Sequence, residues 1–291
     1  MKILLTGATG FVGRKLLNLL VNNGCTVLII ARMKTNLSEI GNIIKDLDVE
    51  YVENDNIEAI FKRHKDIELI IHAATDYGLK KSSNFRVYRA NVELPINLLE
   101  LAIKNNIKKF INLDTFFNSK SVSYGYLKSY ILSKRQFQEW GELISNEEEI
   151  SFINLRLYHV YGEGDGLHKF VPTIIRRCQA GEDIDLTAGV QKRDFIHVDD
   201  VVEAIALIAK ASLNSGYHHF DIGSGESMSI REFVELVNRF CGNKAKLNFG
   251  ALNVRAGEWS DIKADLSSLH KLGWNRRINI ENGLKKMCNS P

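Results

Sequence analysis

Tyr130 and Lys134 have the residue types and the spacing of an acid–base pair. Side chains four residues apart on a helix lie on the same face, so the lysine ammonium group would stand next to the phenol. The positive charge stabilises the phenolate, which predicts a tyrosine pKa below its usual value of about 10. Such a tyrosine can donate a proton to a carbonyl oxygen, or accept one from an alcohol, near neutral pH. The alternative is a chance pair on a solvated helix face.

A glycine turn near the N-terminus is the second candidate site. Gly7, Gly10 and Gly13 follow a predicted strand and open a predicted helix. Glycines let the backbone approach a pyrophosphate closely, and the helix N-terminus stabilises its negative charge. The pattern therefore favours a dinucleotide-binding turn over a tight turn without a ligand. The expected cofactor contacts in the turn are Gly7, Thr9, Gly10, Phe11, Val12 and Gly13.

The end of the second predicted strand bears on which nicotinamide cofactor binds. NAD-specific proteins usually place an acidic residue there to bind the ribose 2′-hydroxyl group. This chain has Ala31 and Arg32 instead. A guanidinium group suits the 2′-phosphate of NADP through paired, charge-assisted hydrogen bonds. The sequence therefore favours NADP(H), and NAD(H) remains open because a solvated surface arginine is common.

The elements that must position these residues alternate between short apolar runs and helical patterns. Continuous apolar runs such as residues 27–30 suit strands that are buried on both faces of a parallel sheet. Strand–helix alternation predicts an α/β fold with a Rossmann-type, doubly wound parallel sheet. The predicted strands are 2–6, 26–31, 49–52, 68–72, 109–113 and 150–157, and the predicted helices are 12–22, 57–64, 91–105, 126–144, 171–179, 199–211, 229–240 and 265–272.

This alternation predicts two parts of unequal size. We expect a dinucleotide-binding domain over residues 1–156, with residues 192–218 returning to it. A smaller, mixed α/β substrate-binding part is expected over residues 157–291. No linker-like segment separates the two parts.

Composition excludes several classes of protein. The 291 residues are 45 % hydrophobic and 25 % charged, as in ordinary globular proteins. The formal net charge of +3 is small and its basic residues are scattered, which argues against a nucleic-acid partner. The four cysteines form no C-x-x-C pair, so we expect reduced thiols and no metal site. With no apolar run of ~20 residues, a cytoplasmic protein without a membrane partner is expected.

The glycine turn and the Tyr–Lys pair together resemble the short-chain dehydrogenase/reductase superfamily, in its extended branch of epimerases, dehydratases and ketoreductases. The resemblance covers nearly the whole chain. It implies an enzyme that binds a nicotinamide cofactor, acts on a nucleotide-diphosphate sugar and forms a homodimer through the helix that carries Tyr130 and the helix before it. The other segments that carry it are 72–74, Asn91, 155–156, 160–162, 193–200 and 272–274.

The resemblance also implies roles for individual residues. Thr115 would complete the catalytic group with Tyr130 and Lys134 by hydrogen-bonding the sugar oxygen, and Lys134 would also hold the nicotinamide ribose. The arginines among the implied substrate contacts suit a diphosphate. Further cofactor contacts are implied for Asp55, Asn56, Ala73, Ala74, Thr75, Asn91, Leu157 and His159, and further substrate contacts for His159, Lys169, Arg193 and Arg255.

The chain departs from the pattern of the branch at several positions. Asp114 stands where a serine often precedes the catalytic hydroxyl residue, and His159 stands where an asparagine is common. The 4,6-dehydratases of the branch carry an Asp-Glu pair directly after the catalytic threonine. This chain has Phe116 and Phe117, which cannot transfer protons, so a dehydratase is not expected.

A C4 epimerase with tightly bound NAD and a 4-ketoreductase with exchanging NADPH remain. Arg32 favours the reductase. Segments 114–117, 156–162 and 191–195 resemble the CDP-abequose and CDP-paratose synthase group, which implies reduction of a CDP-4-keto-3,6-dideoxyhexose for lipopolysaccharide O-antigen. A non-catalytic NADP-sensing regulator is the alternative from another class, and the intact Tyr–Lys pair disfavours it. The nucleotide base, the deoxygenation pattern and the C4 stereochemistry stay open.

Overall fold

The computed structural model describes residues 1–52, 57–79, 82–118, 127–254 and 261–289. These residues divide into two compact units. The first unit is made from the described parts of residues 1–122, 126–156 and 202–220. The second is made from the described parts of residues 157–201 and 221–291.

The strands and helices follow each other in the alternating order that the sequence predicts for the first half. The strands are β1 (Lys2–Thr6), β2 (Thr26–Arg32), β3 (Asp48–Val52), β4 (Leu69–His72), β5 (Lys109–Thr115), β6 (Ser151–Leu157), β7 (His159–Tyr161), β8 (Asp183–Leu186), β9 (Lys192–Arg193), β10 (Phe195–His197), β11 (Gly216–Ile222), β12 (Met228–Ser229) and β13 (Lys246–Phe249). The helices are α1 (Phe11–Asn22), α2 (Ile57–Arg63), α3 (Asn84–Tyr88), α4 (Leu94–Lys104), α5 (Lys128–Glu147), α6 (Phe170–Ala180), α7 (Val198–Lys210), α8 (Ile230–Phe240), α9 (Ser267–Lys271) and α10 (Ile280–Asn289).

A seven-stranded sheet organises the first unit, in the order β11-β6-β5-β4-β1-β2-β3. The pairs from β3 through β2, β1 and β4 to β5 are all parallel. Strand order reverses between β1 and β4, and such a switch point leaves a crevice at the carboxyl ends of the strands. The predicted Rossmann-type fold class is confirmed.

Helix α5 is fixed against the sheet by a cluster of three aromatic rings. Phe110 of β5, Phe137 of α5 and Phe152 of β6 have ring centroids 5.5 to 5.9 Å apart. Gly141, one turn beyond Phe137, lies so close to the Phe152 ring that a Cβ atom would collide with it. Small and large residues thus interlock at this contact, which fixes the helix that carries Tyr130 and Lys134.

The structure corrects the predicted start of one helix. The sequence predicts a helix over residues 91–105, but the helical run begins at α3, where the Ser83 hydroxyl accepts a hydrogen bond of 3.2 Å from the Arg86 amide. It continues through a π-helical segment, Arg89–Glu93, into α4. Residues 84–90 are therefore helical, and Asn91 lies in the π-helical turn rather than at a helix start.

The second unit consists of short strand pairs and helices around its own core. Three two-stranded sheets pair β10 with β7, β12 with β9 and β13 with β8. Fully buried Cys178, Phe233, Val237 and Leu284 bring α6, α8 and α10 into one apolar cluster. In the part of the chain that the structure describes, no helix is both long and apolar enough to cross a membrane.

Candidate active site

The glycine turn is closed by backbone contacts that need glycine. The Gly10 amide donates to the Gly7 carbonyl oxygen at 2.9 Å, and Gly7 has a φ of +72°. A Cβ atom on Gly7 would lie 2.5 Å from the amide nitrogen of Ala74, and one on Gly13 would collide with the Gly7 carbonyl. The turn therefore packs directly on the loop that follows β4.

The start of α1 leaves its first amides available to an anion. No side chain among the described residues caps this N-terminus, and its first turn carries no acidic residue. Uncapped amides at a helix N-terminus favour negative charge. The predicted turn residues Thr9, Phe11 and Val12 lie partly buried around this point. The geometry fits the pyrophosphate of a dinucleotide.

A threonine hydroxyl holds the loop after β4 beside the glycine turn. The Thr6 hydroxyl group accepts a hydrogen bond of 3.2 Å from the Ala74 amide and lies 2.9 Å from Nδ1 of His72. The Ala73 amide donates to the Thr6 carbonyl oxygen at 3.3 Å. The predicted cofactor residues of this loop are thus brought to the same edge of the sheet as Gly7.

Asn91 connects that loop to the helix of the Tyr–Lys pair. Its Oδ1 accepts from the Asp76 amide at 2.8 Å and from the Thr75 hydroxyl at 3.3 Å. Its Nδ2 donates to the Asp76 carbonyl at 2.8 Å and to Oγ of Ser133 at 2.9 Å. All the hydrogen-bonding capacity of this buried amide is used inside the protein. We call this arrangement the Asn91 bracket, and it holds the loop that contains Thr75, a predicted cofactor contact.

The three predicted catalytic residues lie together. Tyr130 and Lys134 share the buried face of α5 and are 5 % and 2 % exposed, and Thr115 is the last residue of β5. The Thr115 hydroxyl hydrogen-bonds the Tyr130 phenol. The Lys134 ammonium group donates to the Leu113 carbonyl oxygen at 2.8 Å. Strand and helix therefore fix a phenol, a hydroxyl and an ammonium group in one place.

The pKa of the tyrosine differs from the sequence-based expectation. Burial raises the pKa of Tyr130 well above its usual value, and the charges of Tyr77 and Asp114 act in the same direction, against the Thr115 hydrogen bond. Burial also lowers the pKa of Lys134 to about 8. The expected lowering of the tyrosine pKa is wrong for this structure, because desolvation outweighs the Thr115 hydrogen bond, which acts to lower it. A phenol that stays protonated at neutral pH is suited to donate a proton.

One aromatic ring packs against the phenol, and two more follow Thr115. The Tyr77 ring centroid lies 4.9 Å from that of Tyr130, and Tyr77 remains 41 % exposed. The rings of Phe116 and Phe117 lie 4.0 Å apart directly after Thr115. The positions where an elimination would need acids are therefore occupied by apolar rings. Sequence reasoning missed Tyr77, and no pattern in the sequence points to it.

Arg32 ends β2, next to the strand that leads into the glycine turn. Its side chain is exposed and, within the described residues, makes neither a hydrogen bond nor an ion pair. The guanidinium group is thus available to a phosphate. The predicted adenine contacts Asp55 and Asn56, and the predicted substrate contact Arg255, lie outside the described residues.

The second unit holds the other predicted substrate residues. The His159 amide donates to the Asp194 carbonyl at 3.0 Å, beside buried Arg193. Burial and the Arg193 charge lower the pKa of His159 to about 3, so its imidazole is neutral at physiological pH. Lys169 forms an ion pair of 2.8 Å with buried Asp165. Leu157, at the end of β6, is partly buried.

A doubly wound sheet with a glycine turn at its switch point and a Tyr–Lys pair on a buried helix defines a nicotinamide-dependent oxidoreductase of the short-chain dehydrogenase type. A model of the NAD-dependent epimerase/dehydratase family matches residues 3–223. The chain belongs to that family.

Known relatives agree with this placement along the whole chain. CDP-abequose synthase of Salmonella muenchen is 40 % identical, with 98 % of this chain and 96 % of the relative aligned. CDP-abequose synthase of Salmonella typhimurium is 36 % identical over the same shares. Among solved structures, UDP-glucose 4-epimerase of Thermotoga maritima superposes with a TM-score of 0.85 at 24 % identity, covering 99 % of this chain and 97 % of that one. The latter similarity shows the fold.

Proposed function

We propose that this protein is a nucleotide-sugar 4-ketoreductase that uses NADPH to reduce a CDP-4-keto-3,6-dideoxyhexose, in the manner of an abequose or paratose synthase. The observation that carries the proposal is the end-to-end similarity to two proteins named CDP-abequose synthase, at 40 % and 36 % identity. The product class suits lipopolysaccharide O-antigen synthesis. The reaction would take place in the cytoplasm.

The residues of the first unit fit a dinucleotide. The amides of the glycine turn and of α1 would hold the pyrophosphate, the loop of Ala73 to Thr75 would contact the pyrophosphate and ribose, and Lys134 would hold the nicotinamide ribose. Arg32 would pair with a 2′-phosphate, which supports a preference for NADP(H) over NAD(H). When bound, NADPH supplies the hydride.

Tyr130 would donate its proton to the C4 oxygen of the ketone as the hydride reaches C4. Thr115 hydrogen-bonds the same phenol and would also reach the sugar oxygen, which aligns donor and acceptor. The Lys134 charge would stabilise the phenolate that forms. The carbonyl becomes an alcohol, with one hydride on carbon and one proton on oxygen, and the tyrosine is reprotonated from solvent.

The second unit is assigned to recognition of the nucleotide sugar. Arg193 and Arg255 would pair with its diphosphate, and Lys169 with the same group or the sugar. Neutral His159 would donate or accept a hydrogen bond near the sugar. The rings of Phe116 and Phe117 would present an apolar wall to a deoxygenated carbon of the sugar.

A C4 epimerase is the second candidate. It is favoured by the solved neighbours, which include UDP-glucose 4-epimerase of Thermus thermophilus in complex with NAD, with a TM-score of 0.82 at 20 % identity. An epimerase retains its cofactor, whereas a reductase exchanges it each turnover. A non-catalytic sensor is disfavoured because the chain keeps both Tyr130 and Lys134, and the phenol is hydrogen-bonded by Thr115.

The test is an NADPH-oxidation assay with the purified protein and 4-keto sugars carried on CDP, UDP, GDP or dTDP. We expect consumption of NADPH with the CDP sugar, formation of the 4-hydroxy product, and protein that purifies without cofactor. Protein that retains NAD and interconverts C4 epimers without net oxidation of NADPH would show the epimerase instead.

We also propose a homodimer through α5 and the helical run before it, which extends from α3 to α4. Within this surface, α5 and α3 are joined by a hydrogen bond between Ser129 and Asn84 at 2.5 Å. Three other aromatic residues recur at helical spacing with Tyr130. Phe137 of α5 lies in the core and Trp140 is exposed, whereas Tyr126 lies outside the described residues. Trp140→Glu is expected to convert a dimer into a monomer in light scattering, and Trp140→Phe is the matched control. The exposed apolar side chains on these helices are Phe85, Tyr88, Leu132, Trp140 and Leu143.

A further inference from the structure

Asp114 is a buried carboxylate directly beside the catalytic residues. It is the penultimate residue of β5 and is 4 % exposed. Its Oδ2 accepts hydrogen bonds from Nδ2 of Asn118 at 2.9 Å and Nδ2 of Asn154 at 2.8 Å. Its Oδ1 is buried and accepts no hydrogen bond from any described residue. A carboxylate in this position has a negative charge that backbone amides do not compensate.

The Lys134 ammonium group is equally buried and needs a compensating charge. Its hydrogen bond goes to the carbonyl of Leu113, the residue before Asp114. Within the described part of the chain, no carboxylate lies within 4.0 Å of its nitrogen. Burying an ammonium group without a counter-charge is costly, and it deprotonates unless a negative charge is near. Asp114 is the carboxylate that opposes this effect, since its charge raises the pKa of Lys134 against burial.

We propose that Asp114 is a positioning residue whose carboxylate is the counter-charge of Lys134. In this role it sets the upper end of the pH range in which Tyr130 and Lys134 both keep their protons. The inference rests on the proposed acid–base role of Tyr130 and Lys134. It gives a function to the position at which the chain departs from the serine of its superfamily.

The other groups that face Lys134 do not supply that charge. From β4, His72 is fully buried, and burial together with the Lys134 charge holds its pKa well below the usual value, so it is neutral. From α5 itself, Tyr130 is protonated because burial raises its pKa. Arg135, the next residue on the helix, donates to Asn118 at 3.4 Å and carries the same sign of charge as the lysine. Asp114 on β5 is the acid among these neighbours.

The direction of the pH effect follows from the sign of the charge. The Asp114 carboxylate raises the pKa of both Lys134 and Tyr130. Removing it lowers both values, so both groups lose their protons at lower pH. A reduction that needs a protonated tyrosine and a charged lysine would therefore fail earlier as the pH rises.

The first experiment compares pH profiles of kcat for the wild type and Asp114→Asn. We expect the alkaline limb to move to lower pH by about one unit, the effect of one nearby charge. Asn118→Ala is the matched control, because it removes a hydrogen bond to the same carboxylate and leaves the charge in place. Its alkaline limb should coincide with that of the wild type. A folded Asp114→Asn variant with an unmoved limb overturns the proposal.

The second experiment measures the coupling without using activity. Urea unfolding is measured for Asp114→Asn, Lys134→Met and the double variant, which together form a double-mutant cycle. Each single variant multiplies the unfolding equilibrium constant by some factor. We expect the factor for the double variant to be roughly tenfold smaller than the product of the two single factors. If Asp114→Asn alone does not fold, adding Lys134→Met should restore folding. Additive effects, or failure to restore folding, overturn the counter-charge. If the proposed reductase activity is wrong, this cycle still decides on Asp114.

Discussion

Two buried aspartates show how one side chain serves different purposes in the two units. Asp194 of the second unit is 0 % exposed and accepts from the backbone amides of Ser224 at 2.6 Å and of Gly225 and Ala264 at 3.0 Å. Asp114 of the first unit accepts only from side-chain amides, and one of its oxygens has no hydrogen-bond partner among the described residues. Because both oxygens of Asp194 accept from backbone amides, this residue connects separate chain segments. The charge of Asp114 is less completely compensated by hydrogen bonds and can act on neighbouring groups.

Asp200 extends the comparison within the second unit. Its two oxygens accept from the amides of Arg277 and Ile278, each at 3.0 Å. The strands of this unit are two to four residues long, apart from the ends of β6 and β11, and cannot supply many ladder hydrogen bonds. Buried carboxylates that collect backbone amides replace them. The strands of the first unit pair in one seven-stranded sheet, so its buried polar groups near Tyr130 are not required for the fold in the same way.

The largest expected effect is a loss of turnover without a loss of stability, at Tyr130 in the first unit. Tyr130→Phe removes the proton donor and keeps the ring, so kcat should fall by about 10²–10⁴-fold. The melting temperature and the Kd for NADPH should stay close to those of the wild type, as measured by thermal unfolding and fluorescence titration. Wild-type turnover in this variant would contradict the catalytic assignment.

The second prediction concerns stability in the second unit. Asp194→Ala leaves three amides without an acceptor, two of them buried and one partly buried, and we expect a loss of about 3–5 kcal/mol in the free energy of unfolding. Asp185→Ala is the matched control, since Asp185 is exposed and bonds Asn248; it should change stability by less than about 0.5 kcal/mol. If urea unfolding showed equal losses of unfolding free energy in the two variants, Asp194 would be no more important to the fold than a surface carboxylate.

The third prediction sharpens the role of the first unit in cofactor choice. Arg32→Ser should raise the KM for NADPH about tenfold, the value of a charge-assisted hydrogen bond, and leave the KM for NADH unchanged. Arg63→Ser, at an exposed arginine that bonds Glu50 at 2.7 Å, is the control. Equal changes for both cofactors at Arg32 would argue against binding of a 2′-phosphate.

The smallest predicted effect is a pH dependence near neutrality. With the pKa of Lys134 at about 8, its charge is present below that pH and is lost as the pH rises through it. We expect kcat for the wild type to be about half its maximum near pH 8. In Lys134→Arg the charge persists, so the limb should move to much higher pH even though kcat is lower. A wild-type profile that stays flat to pH 9.5 would contradict this assignment.

The sheet and the shared helix face of Tyr130 and Lys134 could be predicted from sequence because they follow from local patterns, whereas Thr115 was predicted only from the family resemblance. Apolar runs define β1, β2 and β4, and helical spacing places Tyr130 and Lys134 on one face. Helix α10 was not predicted, since Gly283 in its middle has low helix propensity. The structure needs this glycine because a Cβ atom there would collide with the Tyr161 hydroxyl group. That contact joins distant parts of the chain and has no local signature.

The pKa of the tyrosine could not be predicted from the sequence either. The spacing of Tyr130 and Lys134 indicates their mutual charge effect, but burial depends on tertiary packing and reverses the direction of the tyrosine pKa. Lys169 similarly pairs with Asp165, a buried carboxylate in the loop between β7 and α6. A polar residue inside an apolar strand, such as Asp114 in β5, is the one sequence signal that marks such a group.

The Asn91 bracket holds the backbone of the loop after β4 independently of the Tyr77 side chain. The Asn91 side-chain amide accepts two hydrogen bonds and donates two, which fix Thr75 and Asp76 against α5, and none of them involves the side chain of Tyr77, the next residue. The backbone on either side of the ring is therefore held by contacts that do not depend on the identity of the side chain at position 77. Position 77 is the place at which we would vary the ring beside Tyr130 in a directed-evolution library.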